Sequence, residues 1–367
     1  MCTDAKPMSN TDKKTITHII LPVAPLGSAG SINVKAAGAS RDLPEVERER
    51  KHRGSFYLAM EEYVARNIKH LDECFFTWQV APTVFFGRNQ LIDAEVNIDF
   101  CRQKGIDMIR RKSGGGCVYA DMSNIMFCYI NTGWDTTATF GHYLQRTVEM
   151  LRSLGVEAYT SERNDVMIDQ RKVSGYAFYH VKGRNIVHGT MLYDTDMVNM
   201  VSAITPSDQK LVSKGVQSVR QHICLLKDYI GERMSVEQFR DYVVSSICDD
   251  EYQLSDDDVR AIYEIEREYL DEAYIYGHNP HCTTQRSVRI EGVGEFRAMI
   301  ELHNDNIVSL NIMGDFFLTG DLNEMLALFK GVSYSADALR EVIDGINPTD
   351  YIMGLTREGL RQVIIED

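Results

Sequence analysis

Residues 165–194 constrain the fold of this chain more than any other segment. A turn at Asp169-Gln170 and another at residues 182–185 divide the segment into runs rich in β-branched and aromatic residues. This pattern predicts an antiparallel meander, because short β-prone runs separated by turn residues pair with their neighbours. The chain must therefore build a sheet here.

Helical and strand-like segments precede this meander. Apolar residues at helical spacing predict one helix over residues 54–68 and another over 140–151, which ends near Gly155. Strand-like runs lie at residues 17–23, 83–87, 108–111 and 125–130. The mixture predicts a first domain of the α+β class.

The pattern changes in the C-terminal part of the chain. Ser235 and Gln238 form a capping-box signature before a further helix. Beyond residue 287 a hairpin is predicted, with Asn304-Asp305-Asn306 at its turn, and Asp321 starts a helix that ends at Gly331.

We therefore predict two domains, which comprise residues 1–254 and 255–367. The second is a small α+β C-terminal domain. Residues 24–52 interrupt the first domain as an inserted loop, because their first half is rich in Gly, Ala and Ser.

Composition and charge disfavour several kinds of partner. The 367 residues include 39 basic and 53 acidic ones, and the formal charge of -14 repels nucleic acid and anionic membrane surfaces. The eight cysteines show no CxxC and no metal-like spacing with histidine, so reduced thiols in a cytoplasmic protein are expected. No apolar run approaches the roughly 18 residues of a membrane span.

The sharpest chemical signal is a glycine triplet, Gly114, Gly115 and Gly116, that follows Arg110 and Arg111. Glycine lets backbone N–H groups approach a phosphate or carboxylate closely, and arginine supplies charge and forked donors. The run is neither a Walker loop nor a dinucleotide-binding GxGxxG. A glycine triplet is also an ordinary tight turn, so this pattern alone leaves both interpretations open.

Two further segments carry groups suited to anionic ligands. Lys172 could hold a carboxylate and an α-phosphate together while negative charge develops, and Asp165 could bind Mg²⁺. The triplet His188-Gly189-Thr190 lies at the start of a predicted strand. Taken alone, the segment around Lys172 favours an exposed hairpin, and a lone histidine favours a structural role.

In this order and spacing, the three segments resemble the lipoate-protein ligase family. The matching positions are residues 110–119, Asn124, Asn164-Asp165, 172–175 and 188–190, with further matches at residues 58–62, Trp78 and 213–220. Beyond residue 285 the chain is similar to the small accessory domain of that family. The chain departs from the pattern at Ala120, where the family usually has a histidine, and in the insertion at residues 24–52.

The resemblance implies a biotin/lipoate-ligase-like catalytic domain with a large mixed sheet, and an ATP-dependent ligase. Lipoate would react with ATP, assisted by Mg²⁺, to give lipoyl adenylate and pyrophosphate. The lipoyl group would then pass to a lysine of a lipoyl domain in a 2-oxoacid dehydrogenase acyltransferase subunit, or of the glycine-cleavage H protein. The enzyme would be a cytoplasmic monomer.

The same resemblance implies roles for individual residues. Lys172 and Arg111 would be catalytic, and Asp165 would hold the metal. Binding of lipoate and ATP is implied for Trp78, Arg110, Ser113, Gly114, Gly115, Gly116, Cys117, Val118, Tyr119, Asn124, Asn164, Asp165, Ser174, Gly175, Ala177, His188, Gly189 and Thr190. Phe85 and Phe86 are additional candidates for the wall of an apolar channel.

Other activities of the same fold are alternatives to this interpretation. Octanoyl and lipoyl transferases need a nucleophilic cysteine, but Ser207 occupies one expected position and no cysteine lies between Cys128 and Cys224. Cys117 stands where the family has a small residue, so we expect it to pack as one. The GRGRxGR loop of biotin ligases is absent. A non-catalytic lipoate-binding protein is a further alternative, which the presence of both Lys172 and Arg111 disfavours.

Overall fold

The computed structural model describes residues 15–22, 53–133, 136–161, 165–204, 219–277 and 282–365. The predicted loop at residues 24–52, Asn164, Ser207 and residues 213–218 lie outside this part of the chain.

The described strands form three sheets. A mixed sheet of eight strands has the order β11-β1-β2-β6-β10-β9-β8-β7, and two sheets of three strands have the orders β4-β3-β5 and β12-β13-β14. The strands are β1 Ile16–Ile20, β2 Glu73–Trp78, β3 Thr83–Phe86, β4 Asp107–Arg110, β5 Val118–Ala120, β6 Ile125–Thr132, β7 Tyr159–Thr160, β8 Val166–Ile168, β9 Arg171–Val181, β10 Arg184–Met191, β11 Asp250–Gln253, β12 Thr284–Ile290, β13 Gly294–His303 and β14 Asn306–Gly314.

Helices cover both faces of the large sheet and one side of the C-terminal sheet. They are α1 Gly54–Asn67, α2 Ile92–Glu95, α3 Ile98–Lys104, α4 Thr136–Ser153, α5 Met197–Ile204, α6 Lys227–Ile230, α7 Val236–Ile247, α8 Asp256–Tyr269, α9 Glu272–Tyr276, α10 Leu322–Ala327, α11 Ala336–Asp344 and α12 Arg357–Ile364. Among the described helices, none combines the length and the apolar character needed to cross a membrane.

The predicted meander is confirmed. Strands β8, β9 and β10 pair antiparallel with their neighbours along the chain. The β8–β9 turn holds Asp169 and Gln170 at φ 49° and 62°, and Lys182 has φ 46° in the next turn. These left-handed conformations belong to tight hairpin turns, which is why the turn residues located both turns correctly.

Alternating residues of the central strands fill two separate cores. On β2, Phe75 packs with the residues of α4 and α7, whereas Phe76 packs on the opposite face with α1. Both phenylalanines are buried, because a central strand covered by helices on both faces buries successive side chains. This layered arrangement confirms the predicted α+β class.

Helix α8 packs within the large unit. Its Ile262 and Tyr269 are fully buried in the cluster formed with α1. The buried carboxylate of Glu266 accepts hydrogen bonds from Arg53 and Ser55 at the start of α1. The domain boundary predicted after residue 254 stays a prediction.

The C-terminal unit contains the predicted hairpin. Strands β13 and β14 meet at Asn304 and Asp305, which have φ 48° and 59°. Asp321 caps α10 as predicted, but this helix ends at Ala327 and not near Gly331. The reason is that the N–H groups of residues 328–330 donate to carbonyls three residues back, which tightens the last turn.

Candidate active site

A cavity of about 580 Å³ lies between the large sheet, the glycine triplet and the C-terminal unit. Strands β9 and β10 supply one wall, with Lys172, Gly175, Ala177, His188, Gly189 and Thr190. The chain from Gly115 to Tyr119 supplies the opposite wall, together with Trp78 and Arg111. The fold thus brings three separate sequence segments to one site.

Lys172 presents its ammonium to this cavity beside Asp165. Its Nζ lies 2.8 Å from Asp165 Oδ1, and the two side chains are 39% and 22% exposed. A Cβ atom on Gly175 would collide with Cε and Nζ of Lys172. In this conformation Lys172 therefore lies across the strand in the space that Gly175 leaves open.

Arg111 organises the glycine triplet from beneath. Its guanidinium donates to the carbonyl oxygens of Gly114 at 2.8 Å and Gly116 at 2.6 Å, and to the carbonyl of Phe85 at 3.0 Å. Burial lowers the pKa of Arg111 to about 10, so the group stays charged at neutral pH. Since the carbonyls point toward Arg111, the loop is held in one conformation.

Arg110 does not line the cavity. Its fully buried guanidinium lies 4.6 Å over the Phe86 ring. It donates hydrogen bonds to the carbonyl oxygens of Gly87, Arg88 and Gln90 and to further carbonyl oxygens in α9. These contacts favour a structural role that joins β3, β4 and α9, in place of the direct anion binding expected from the sequence.

A chain of buried hydrogen bonds reaches the same loop from α1. Glu61 Oε2 lies 2.7 Å from His188 Nδ1, and His188 Nε2 lies 2.7 Å from Ser113 Oγ. Ser113 Oγ also accepts from Arg111 Nε at 3.0 Å. Because an ionised carboxylate only accepts hydrogen bonds, the network assigns the imidazole proton to Nδ1, facing Glu61, and Nε2 then accepts from the Ser113 hydroxyl.

This arrangement has the order of a Glu-His-Ser triad but not its exposure. Ser113 is 1% exposed and does not line the cavity, so no ligand carbonyl can reach its hydroxyl. The three residues therefore fix the loop and do not form a nucleophile. A signal for Glu61 is present in the sequence, since Glu61 and Glu62 interrupt the apolar face of α1.

An apolar end of the cavity lies beneath these polar groups. Trp78 stacks on Tyr57 with ring centroids 5.0 Å apart and meets Phe85 edge-on at 5.7 Å. Phe85 lines the cavity as predicted, whereas Phe86 lies under Arg110 and does not. Leu58, Trp78, Phe85, Tyr119 and Met126 are among the apolar residues that line the cavity.

The C-terminal unit closes the cavity at the glycine triplet. The Gly115 N–H donates to Phe316 O at 3.4 Å, and a Cβ on Gly114 would collide with that same oxygen. Phe317 stacks on Phe178 of β9 with centroids 5.6 Å apart. No sequence pattern indicated the contact with Phe316, which gives the triplet a second reason to be glycine.

Cys117 is the only cysteine among the described residues that line the cavity. Burial raises the pKa of the Cys117 thiol to about 12, although the nearby charge of Arg111 acts to lower it. The group is therefore a neutral thiol at pH 7 and a poor nucleophile.

Three further predicted residues lie behind the cavity wall. Asn124 is fully buried and accepts a hydrogen bond from Thr195. Ser174 is fully buried on β9, and Gly114 lies against the C-terminal unit. Asn164 falls outside the described residues.

Two family models match the chain. The lipoyl protein ligase A/B catalytic domain covers residues 53–248, and the bacterial lipoate protein ligase C-terminus covers residues 279–364. Together they span both units of the structure.

Curated relatives match along most of the chain. The chain is 31% identical to lipoate-protein ligase LplJ of Bacillus subtilis over 84% of this chain and 95% of that protein. It is 30% identical to lipoate–protein ligase 1 of Staphylococcus aureus over 83% of this chain and 94% of that protein.

Solved structures share the fold. P. falciparum LipL1, solved in complex with lipoate, has a TM-score of 0.67 at 18% identity and covers 83% of this chain and 94% of its own. A lipoate-protein ligase A bound with ATP has a TM-score of 0.53 at 22% identity, over 61% of this chain and 94% of its own. These likenesses confirm the ligase-like fold predicted for the catalytic unit.

Proposed function

The chain belongs to the lipoate-protein ligase family, and from this premise we propose how the residues of its cavity carry out the ligase reaction. The protein is an ATP-dependent lipoate-protein ligase. The observation that carries the assignment of the site is the position of Lys172, whose ammonium faces one cavity together with the glycine triplet and an apolar end.

In the first half-reaction, a carboxylate oxygen of lipoate attacks the α-phosphorus of ATP. A carboxyl–phosphate anhydride forms, the bond between the α- and β-phosphates breaks, and pyrophosphate leaves. Lys172 is placed to hold the carboxylate and the α-phosphate together, because its charge is most useful where negative charge accumulates. The Gly115 N–H already donates to Phe316 O, so the backbone N–H of Gly116 is the candidate in the triplet to face the same phosphate.

The apolar end accepts the tail of lipoate. Leu58, Trp78, Phe85 and Met126 offer an apolar surface of the kind that a dithiolane and its alkyl chain require. Arg111 acts on the ligand through the loop it holds, and the Glu61, His188 and Ser113 network supports it.

The residues around Lys172 fit a magnesium ion that is bound mainly by phosphates. Within the described residues no cluster of three or more His, Cys, Asp or Glu side chains could hold a metal alone. Mg²⁺ commonly uses one or two carboxylates plus substrate phosphates and water, and Asp165 offers one carboxylate at the cavity. When bound there, Mg²⁺ would neutralise charge on the phosphates.

In the second half-reaction, the ε-amine of an acceptor lysine attacks the acyl carbon of the adenylate. An amide bond forms, AMP leaves, and the amine loses a proton to solvent. A solved relative from Thermoplasma acidophilum is a bi-partite lipoate protein ligase studied with its E2 lipoyl domain. We infer acceptors of the same class, namely lipoyl domains of 2-oxoacid dehydrogenase complexes or the glycine-cleavage H protein.

The seven described cysteines are all free, which supports the expected location in the reducing cytoplasm. The monomeric state stays a prediction.

The acceptor step is tested by incubating the protein with lipoate, ATP, Mg²⁺ and a purified apo lipoyl domain. Intact-mass analysis should show one lipoyl group on the acceptor, and omission of ATP should abolish it. ATP-independent transfer from a lipoylated or octanoylated carrier protein would instead support the transferase alternative.

A further inference from the structure

A hairpin of the C-terminal unit brings a cation to the active-site cavity. Strands β12 and β13 meet at residues 291–293, and Arg289, Gly292 and Gly294 on and beside this turn line the cavity. The side chain of Arg289 is exposed and has no hydrogen-bond or ion-pair partner within the described part of the chain. Neither the family match nor the glycine triplet assigns this residue a role.

The other cations at the cavity are already engaged. Arg111 donates four hydrogen bonds, one from Nε to the Ser113 hydroxyl and three to carbonyl oxygens of the loop and of Phe85. Lys172 is paired with Asp165. Among the described lining residues, Arg289 is therefore the one cationic side chain whose donors are unused.

The charge of the cavity differs in sign from that of the whole chain. Among the residues that the structure describes, three cations line it, Arg111, Lys172 and Arg289, against the two carboxylates of Asp165 and Asp315. Asp315 Oδ1 accepts a hydrogen bond from the backbone N–H of Glu295 at 2.6 Å, so this carboxylate is already engaged within the C-terminal unit. In a chain with a formal charge of -14, a local excess of positive charge favours an anionic ligand.

We propose that Arg289 binds the β- and γ-phosphates of ATP, the part that leaves as pyrophosphate. The proposal rests on the proposed function, in which Lys172 serves the carboxylate and the α-phosphate. One lysine cannot also match the remaining phosphate oxygens, and the planar fork of an arginine binds phosphate with two parallel hydrogen bonds. The C-terminal unit thereby contributes a ligand group to adenylation.

The assignment separates the two half-reactions. Pyrophosphate is present only in the first, so Arg289 acts in adenylation and not in transfer from the finished adenylate. A purely structural arginine would affect both steps, or neither.

The test compares Arg289→Gln and Arg289→Lys with the control Arg286→Gln. Arg286 lies on the same strand, does not line the cavity and donates to Gln362 O at 3.5 Å. Inorganic pyrophosphate binding is measured by calorimetry, and the ATP dependence of adenylation is measured alongside it. Transfer to an acceptor is followed separately from synthetic lipoyl adenylate.

We expect Arg289→Gln to weaken pyrophosphate binding and raise the KM for ATP by about tenfold or more, since charged hydrogen bonds are the stronger class. Arg289→Lys should recover part of the pyrophosphate affinity and reverse part of the increase in KM, and Arg286→Gln should match the wild type. Transfer from synthetic adenylate should change less than about twofold, because no pyrophosphate takes part.

Unchanged pyrophosphate binding in Arg289→Gln, or an equal loss in the transfer step, would overturn the assignment. If the wild type binds pyrophosphate through Arg289 but forms no lipoyl adenylate, the proposed function fails while the anion subsite stands. If the wild type forms adenylate and Arg289→Gln behaves identically, only the Arg289 proposal fails.

Discussion

The ammonium of Lys172 lies 2.8 Å from the carboxylate of Asp165, in an ion pair that both partners leave partly open to solvent. Such exposed pairs contribute little to stability. The pair is therefore suited to exchange partners when an anion and its counter-ion enter. Its importance should lie in the reaction and not in the fold.

Lys172→Ala should lower the rate of lipoyl adenylate formation by roughly 10²-fold or more, because the charge is lost where the transition state needs it. Thermal unfolding should stay close to that of the wild type. The matched control is Lys227→Ala, since Lys227 forms a similarly exposed pair with Asp194 at 2.7 Å and does not line the cavity. Near wild-type adenylation by Lys172→Ala would remove the residue from the mechanism.

A variant with all eight cysteines replaced by alanine should retain acyl transfer. The physical reason is the raised pKa of Cys117, which keeps the one cavity thiol neutral at working pH. Folding is checked first by circular dichroism, because several cysteines are buried and their replacement creates small cavities. A trapped thioester on Cys117 in the wild type would support the transferase alternative.

Ser113→Ala should destabilise the protein by about 1–3 kcal/mol, because Arg111 Nε loses its acceptor and His188 loses its hydroxyl partner inside the fold. Thermal or urea unfolding measures the effect. Ser245→Ala is the control, as Ser245 is exposed and bonds only the nearby Tyr242 carbonyl. Equal stability of the two variants would contradict the claim that the buried network holds the loop.

Glu95 gives the contact between the two units a pH dependence. Burial, followed by the charges of Asp315 and Glu295, raises the pKa of the Glu95 carboxyl. The folded state therefore binds the Glu95 proton more tightly than the unfolded state does. The stability that this proton contributes is fully present below the pKa of about 4 in the unfolded chain, and it is lost as the pH rises through the higher pKa of the folded state.

Glu95→Gln should accordingly raise the Tm at pH 7 and leave it nearly unchanged below about pH 4. Asp93 lies on the same short helix but is exposed, so Asp93→Asn should change the Tm at neither pH. Scanning calorimetry at the two pH values distinguishes the variants. A gain of equal size at both pH values would show that ionisation is not its cause.

Local sequence signals predicted the elements well, because turns and caps depend on neighbours. The positive φ angles of Asp169 and Lys182 follow from turn chemistry, and the capping box at Ser235 is present. Glycine spacing also located the loop at residues 114–116. The main local error, the length of α10, came from a tightened last turn.

Contacts between distant segments could not be predicted in the same way. His188 meets Glu61 across 127 positions and Ser113 across 75. Arg110 was expected at a ligand, yet Tyr274 and Ile275, far along the chain, accept its hydrogen bonds. An arginine can bind either a ligand or backbone carbonyls of its own chain. Only the tertiary packing decides which of these groups accepts its hydrogen bonds.

The C-terminal unit offered no motif that would place it at the active site. The structure nevertheless puts Phe317 and Arg289 on the cavity. The period of two along β12 places Arg286 and Arg289 on opposite faces of the strand, but it does not show which face meets the cavity.

The central claim is that this chain activates lipoate as an acyl adenylate before any protein acceptor is involved. The most direct measurement is a mass spectrum of the small molecules after the protein is incubated with lipoate, ATP and Mg²⁺ in the absence of acceptor. The account predicts lipoyl adenylate and an equal amount of pyrophosphate, with neither product from Lys172→Ala. A wild-type protein that consumes no ATP, but accumulates a lipoyl or octanoyl thioester when given an acylated carrier, would contradict it.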